Sequence, residues 1–253
     1  MKKFLVGTVG LFALAMVAPA SAADMAVKAR PPAPMLAPMY DWSGFYIGAN
    51  GGWGSSHKCW DSVAPTPFLI GAEGCHDADG GTAGGQIGYR WQASSWVFGL
   101  EAQGNWADFR GSNESVLFPG FANESRIDAF GLFTGQVGWA ANNVLFYVKG
   151  GAAVTADRFR IRDIPTGVVI GTTGDDTRWG GVIGAGLEFG FAPNWSAGIE
   201  YNHLFMQDRT HTFVDPVIGG VVGVDRIRQD VDLVTVRVNY RFGGYGTPVA
   251  ARY

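Results

Sequence analysis

The 253-residue chain is 47% apolar and 13% aromatic and carries 38 glycines. Beyond its N-terminus, no segment offers the roughly 18 consecutive apolar residues that a membrane helix needs. With Lys2 and Lys3 set aside, 17 basic side chains face 22 acidic ones, a net charge of about −5 without a basic stripe, which argues against nucleic acid as a partner. High apolar content without a helical span leaves a soluble globule or a β-barrel, and the glycine and aromatic content favours strands.

Residues 1–22 have the form of a cleaved secretory signal. Lys2 and Lys3 start it, Phe4 to Val17 form its apolar run, and Ala20-Ser21-Ala22 offers small residues for cleavage. Residues 23–41 contain Pro31, Pro32, Pro34 and Pro38 and read as an extended periplasmic tail.

From residue 42 to residue 242, eight segments alternate apolar with polar side chains. They are Trp42–Trp53, Thr82–Gln92, Trp96–Ala107, Arg126–Trp139, Val144–Ala156, Arg178–Phe191, Trp195–Gln207 and Gln229–Phe242. Each is long enough for a tilted membrane strand of about 9–11 residues. The last is the clearest: Val234, Val236, Val238, Tyr240 and Phe242 fall on one face, and Thr235, Arg237, Asn239 and Arg241 on the other.

Short connections at 93–95, 140–143 and 192–194 alternate with long ones at 54–81, 108–125, 157–177 and 208–228. That is the pattern of short periplasmic turns and long extracellular loops. Trp42, Trp91, Trp96, Trp139, Trp195, Tyr240 and Phe242 lie beside the short turns or the chain ends, and Trp53, Trp106 and Trp179 beside the long loops, as two aromatic girdles require. The expected fold is all-β: an eight-stranded antiparallel transmembrane up-and-down barrel in the outer membrane. Residues 243–253 form a C-terminal extension beyond it.

Phasing each strand with its charge inward builds a polar interior. Arg90, Glu101, Lys149, Glu188, Glu200, Arg237 and Arg241 form the expected charge network, and Glu200 with Arg237, on neighbouring strands, is the expected pair. Eight strands enclose a space that side chains largely fill. The charges are therefore expected to plug the barrel rather than line a wide channel.

Cys59 and Cys75, sixteen positions apart in an exported chain, are expected to form one disulfide in the first extracellular loop. His57, His76 and His211 fall in long connections, where an imidazole could reach haem iron or a divalent metal, though scattered histidines are more often ordinary surface residues. No metal or resident cofactor is expected. Glu200 and His203 are three apart, hence on opposite faces of a strand, and Ser43-Gly44 and Ser196-Ala197-Gly198 lack the setting of a nucleophile elbow, so no enzyme is expected.

The Pro-rich start, Trp42-Ser43-Gly44-Phe45-Tyr46-Ile47-Gly48 and Val238-Asn239-Tyr240-Arg241-Phe242 resemble a family of small Gram-negative outer-membrane β-barrels. That family includes immunogenic, porin-like and haemin-binding surface proteins. The resemblance implies that Val238, Tyr240 and Phe242 form an ending read by the barrel-assembly machinery, although this chain continues to Tyr253. Its implied partners are outer-membrane lipid and host or other surface ligands. The expected function is a structural and surface-interaction role with minor porin-like permeation. A loop receptor for haemin or another small ligand stands as the alternative.

Overall fold

The computed structural model describes residues 40–63 and 70–243, so the expected signal, most of the tail, and the extension beyond residue 243 lie outside the described residues. Nine strands form one antiparallel sheet. They are β1 (Gly44–Ser62), β2 (Gly71–Ala93), β3 (Trp96–Glu114), β4 (Phe121–Ala141), β5 (Val144–Asp163), β6 (Val169–Ala192), β7 (Trp195–Met206), β8 (Arg209–Val214) and β9 (Val221–Phe242). From β1 to β7 each strand pairs with the next, and β9 returns to β1 from Phe45↔Phe242 to Ser62↔Asp225, which closes the ring. β7 and β8 both pair with β9, interrupted at Gln207 and Asp208, so together they make one stave of an eight-stave barrel.

The lower turns are tight because Ala93↔Trp96 and Ala141↔Val144 are directly paired. Ser94 and Asn142 take positive φ there; asparagine tolerates that region through local hydrogen bonding.

The long connections are mostly strand. β1 continues to Ser62 and β2 begins at Gly71, while the other upper connections span only 115–120, 164–168 and 215–220. Strands of 19–24 residues exceed the 9–11 or so that cross a bilayer, so about half of each long stave rises beyond the outer girdle. That rise holds together in part because apolar inward side chains pack between its buried polar groups. Trp60, Phe159, Phe213 and Ile227 form one such cluster, with Trp60 stacked on Phe213 at 5.3 Å and edge-on to Phe159 at 5.6 Å.

Lower down, the outward face is a belt of exposed apolar side chains that includes Ile47, Phe98, Leu100, Val148, Ile183, Ile199 and Val236. No water-soluble surface sustains a continuous belt of this kind. Trp53, Trp106 and Trp179 stand exposed at its upper edge, and Trp91, Trp96, Trp139 and Trp195 at its lower edge. Trp42 departs from the expected girdle: it is buried with Tyr40, Val97, Ala140, Leu145 and Tyr147 inside the periplasmic end. Tyr40, expected in the extended tail, therefore belongs to the barrel's packing.

Candidate functional site

The inward positions of β9 describe the interior from bottom to top. Arg241, Asn239, Arg237 and Thr235 are polar, Leu233 and Val231 apolar, Gln229 polar, Ile227 apolar and Asp225 acidic. Each is two residues from the next, so the strand's pleat delivers all of them to one face. The other staves supply matching layers.

In the lower layer the structure brings together six of the seven expected charges. Glu101 accepts from Lys149 Nζ at 3.2 Å, Tyr46 Oη at 2.7 Å and Arg237. Glu200 lies 2.6 Å from Lys149 Nζ and accepts from Tyr147 Oη at 2.6 Å and from Arg237. Arg237 thus bridges two carboxylates rather than the single expected partner. Arg90 holds Glu188 through both terminal nitrogens, at 3.1 and 2.8 Å, and lies 4.5 Å from the Tyr46 ring. Three cations meet three carboxylates, and tyrosines and amides take the remaining bonds, the condition under which buried charge is tolerable. Arg241 stands apart at the rim, where it donates to the Ser43 and Pro193 carbonyls at 3.0 and 3.3 Å.

A chain of amides runs alongside the charges. Asn105 donates to Asn50 at 2.6 Å, Asn50 to Gln86 at 2.7 Å and Gln86 to Asn239 at 2.7 Å. Gly48 faces these amides, and any Cβ there would collide with Asn239 and Gln86. Next come Phe109, Ile127, Phe130, Leu132, Val182, Leu204, Val231 and Leu233, an apolar layer that fills the barrel. Lys58 and Asp157 follow, paired at 3.2 Å and fully buried. Burial pushes the Lys58 ammonium below the usual lysine range, and Asp157 opposes that shift.

Cys59 and Cys75 form a disulfide as direct cross-strand partners of β1 and β2. They sit in strand rather than in the expected loop, because the hairpin continues past them. The histidines are likewise on strands. His57 is exposed and 2.6 Å from Asp77. His76 points inward with Nδ1 2.7 Å from Asn113 and Nε2 3.0 Å from Ser125. His211, also inward, lies 3.7 Å from Asp176 and 5.1 Å from the Phe159 ring. Burial holds both inward imidazoles below the usual histidine range. Among the described residues His57 comes close to Cys59 and Cys75, but their sulfurs are bonded to each other and cannot act as thiolate ligands.

Val238 and Phe242 lie on the lipid face, while half-buried Tyr240 packs 5.1 Å from Trp195 and 5.0 Å from Phe242. On the outer face of the rise, Arg110, Arg126 and Arg158 are cross-strand neighbours in one row. Asp108, Asp128 and Asp175 interleave with them and neutralise the row.

Two acids outside the expected charge network converge at the top of the interior. Glu73 of β2 and Asp225 of β9 line one chamber. The available signal was the inward alternation of β9, which carries down from Asp225 without a slip.

A closed antiparallel ring with an apolar belt between aromatic girdles and an ion-paired interior is a transmembrane β-barrel. The chain belongs to the outer membrane protein beta-barrel domain family, whose model matches residues 10–242. It is 30% identical over 240 residues to the 31 kDa outer-membrane immunogenic protein of Brucella melitensis, covering 88% of this chain and 93% of that one. To the 25 kDa outer-membrane immunogenic protein of Brucella canis it is 24% identical, over 89% of this chain and 92% of the other. The outer membrane protein OprG from Pseudomonas aeruginosa shares the fold, with a TM-score of 0.51 and 13% identity over 80% of this chain and 97% of that one. The protein resides in the outer membrane.

Proposed function

We propose that the protein is a structural and surface-interaction component of the outer membrane, with at most minor, low-conductance permeation. The observation that carries this reading is the neutral layer in which Arg90, Lys149 and Arg237 bind Glu101, Glu188 and Glu200 across the barrel. An ion crossing it would have to displace buried pairs and then pass a layer of packed phenylalanine and leucine side chains. The long strand extensions present the protein's water-exposed surface, which supports contact with host or other surface ligands as its outward role. On this reading the Val238–Phe242 ending serves insertion by the barrel-assembly machinery.

Planar-bilayer recording of the refolded protein tests the reading. We expect no large unitary steps; large, open, ohmic steps would replace it with a porin. Haemin titration followed by absorbance addresses the receptor alternative. Of the three candidate histidines His57 alone is exposed, and it is already paired with Asp77, so we expect no Soret shift; a shift that His57→Ala abolishes would favour the receptor.

A further inference from the structure

Glu73 and Asp225 lie 152 positions apart, yet both point into a chamber of about 190 Å³ at the extracellular end of the barrel. Glu73 is 4% exposed; its carboxylate accepts from Ser115 Oγ at 3.1 Å and from Asn123 Nδ2 at 2.8 Å. Asp225 is 1% exposed, and no hydrogen bond of ordinary geometry reaches either carboxyl oxygen among the described residues, although its cross-strand neighbour Ser62 and Glu73 lie close enough to act on it. Asn123 is fully buried, and its Oδ1 is unpartnered in the same way. Three acceptor oxygens without donors therefore line one chamber beside a second carboxylate. No lysine, arginine or histidine is among the described residues that line it.

Unpaired buried acceptors are costly, and two carboxylates in one site repel each other. Burial and then the charge of Glu73 push the Asp225 carboxyl up to about 7, against the opposing effect of the Ser62 hydroxyl. Without a cation, a proton takes that place. A primary ammonium carries one positive charge and three N–H donors, which matches three unpartnered acceptors beside two acids. Phe118, Phe121, Ile161, Ile170 and Val222 form the apolar part of the wall, and Ser62, Ser115 and Gly223 complete it. The chamber is larger than the cavity of roughly 150 Å³ that accepts benzene. It is far larger than a bare ion needs.

We propose that this chamber is a binding site for a small organic ammonium ion with an apolar body, whose charged end is held by Asp225, Glu73 and Asn123. The site goes beyond the structural role above. It lies above the ion-paired layer, so its occupancy does not depend on whether the barrel conducts.

The test is calorimetric titration of the full refolded chain with phenethylamine. We expect saturable 1:1 binding at about pH 8, weakening about a hundredfold by about pH 5, because each unit below the Asp225 value reduces the ionised fraction about tenfold. Phenylpropionate and toluene, which keep the ring without the cation, should not bind. Asp225→Asn removes the charge at nearly constant volume and should abolish binding. Glu73→Gln should weaken it at least tenfold, and heat-modifiable gel migration confirms that each variant is folded. Absence of saturable phenethylamine binding to the folded wild type overturns the proposal, as does undiminished binding by folded Asp225→Asn. Calcium chloride alone binding with the same residue dependence, while phenethylamine does not, overturns it in favour of a metal site.

Discussion

The lower and upper halves of this barrel share the same strands and the same two-residue alternation, yet the outward face turns from apolar to polar and apolar layers enter the interior. In the membrane half of β9, Val234, Val236 and Val238 face outward while Arg237 and Asn239 are buried. In the upper half, Leu233, Val231 and Ile227 are buried while Asp232, Asp230, Arg228 and Arg226 face outward. The change occurs between Leu233 and Val234, with no slip in register against β1. The surrounding solvent accounts for it. Lipid accepts apolar side chains and leaves polar ones to pair inside; water reverses both preferences. The molecule is a membrane barrel continued into a water-soluble barrel on the same staves.

The halves should therefore fail independently, and the largest effects should come from their centres. Arg237→Ala strips a partner from both Glu101 and Glu200, and breaking a buried pair typically costs about 3–5 kcal/mol. We expect a corresponding fall in the membrane half's denaturant midpoint and heat-modifiable migration. The Glu200→Ala and Arg237→Ala double variant should lose less than the sum of the singles, and additive losses in the cycle would refute direct coupling.

Trp60→Ala should cost the upper half a comparable amount, about 3–5 kcal/mol for a large buried aromatic. Its signature differs: amide exchange and proteolysis should increase in the strand extensions while heat-modifiable migration is kept. Equal loosening of both halves would contradict their independence.

The pH dependence of the upper half comes next. An acid whose folded value is raised to about 7 binds its proton more tightly folded than unfolded. Its contribution is thus favourable at low pH and is lost as pH rises from about 4 to about 7. A few kcal/mol of local stability, read by exchange in the extensions, should disappear across that window. Asp225→Asn should flatten this component of the profile. A component that persists unchanged in that variant would assign it to another group.

The smallest effect belongs to the disulfide. Closing a loop of sixteen residues is worth about 3 kcal/mol at most in the chain-entropy model. Cross-strand pairing already tethers these positions. Reduction, or Cys59→Ala, should raise exchange near the top of β1 and β2 and leave the membrane half unmoved.

Much of the membrane half was legible in the sequence. Alternation and turn spacing located its staves, and the inward charges followed from phasing each strand. Arg237 and Glu200 could be matched because adjacent staves place them near one level. The upper half was hidden by the same logic. Its strands read as loops because polar outward residues such as His57, Asp61, Arg158 and Arg160 dilute the apolar ones, and an apolar residue every second position looks alike whether it faces lipid or a core.

The sequence by itself determined a period, a set of turns and the polarity of each face, since the strand pleat is a local property of the backbone. Only the closed tertiary structure decided which face was inside at each height. It also turned Tyr40 and Trp42 into the periplasmic end and carried Glu73 and Asp225 into one chamber. Those outcomes depend on ring closure between β1 and β9 and on the solvent outside each half, and neither is encoded within any single strand.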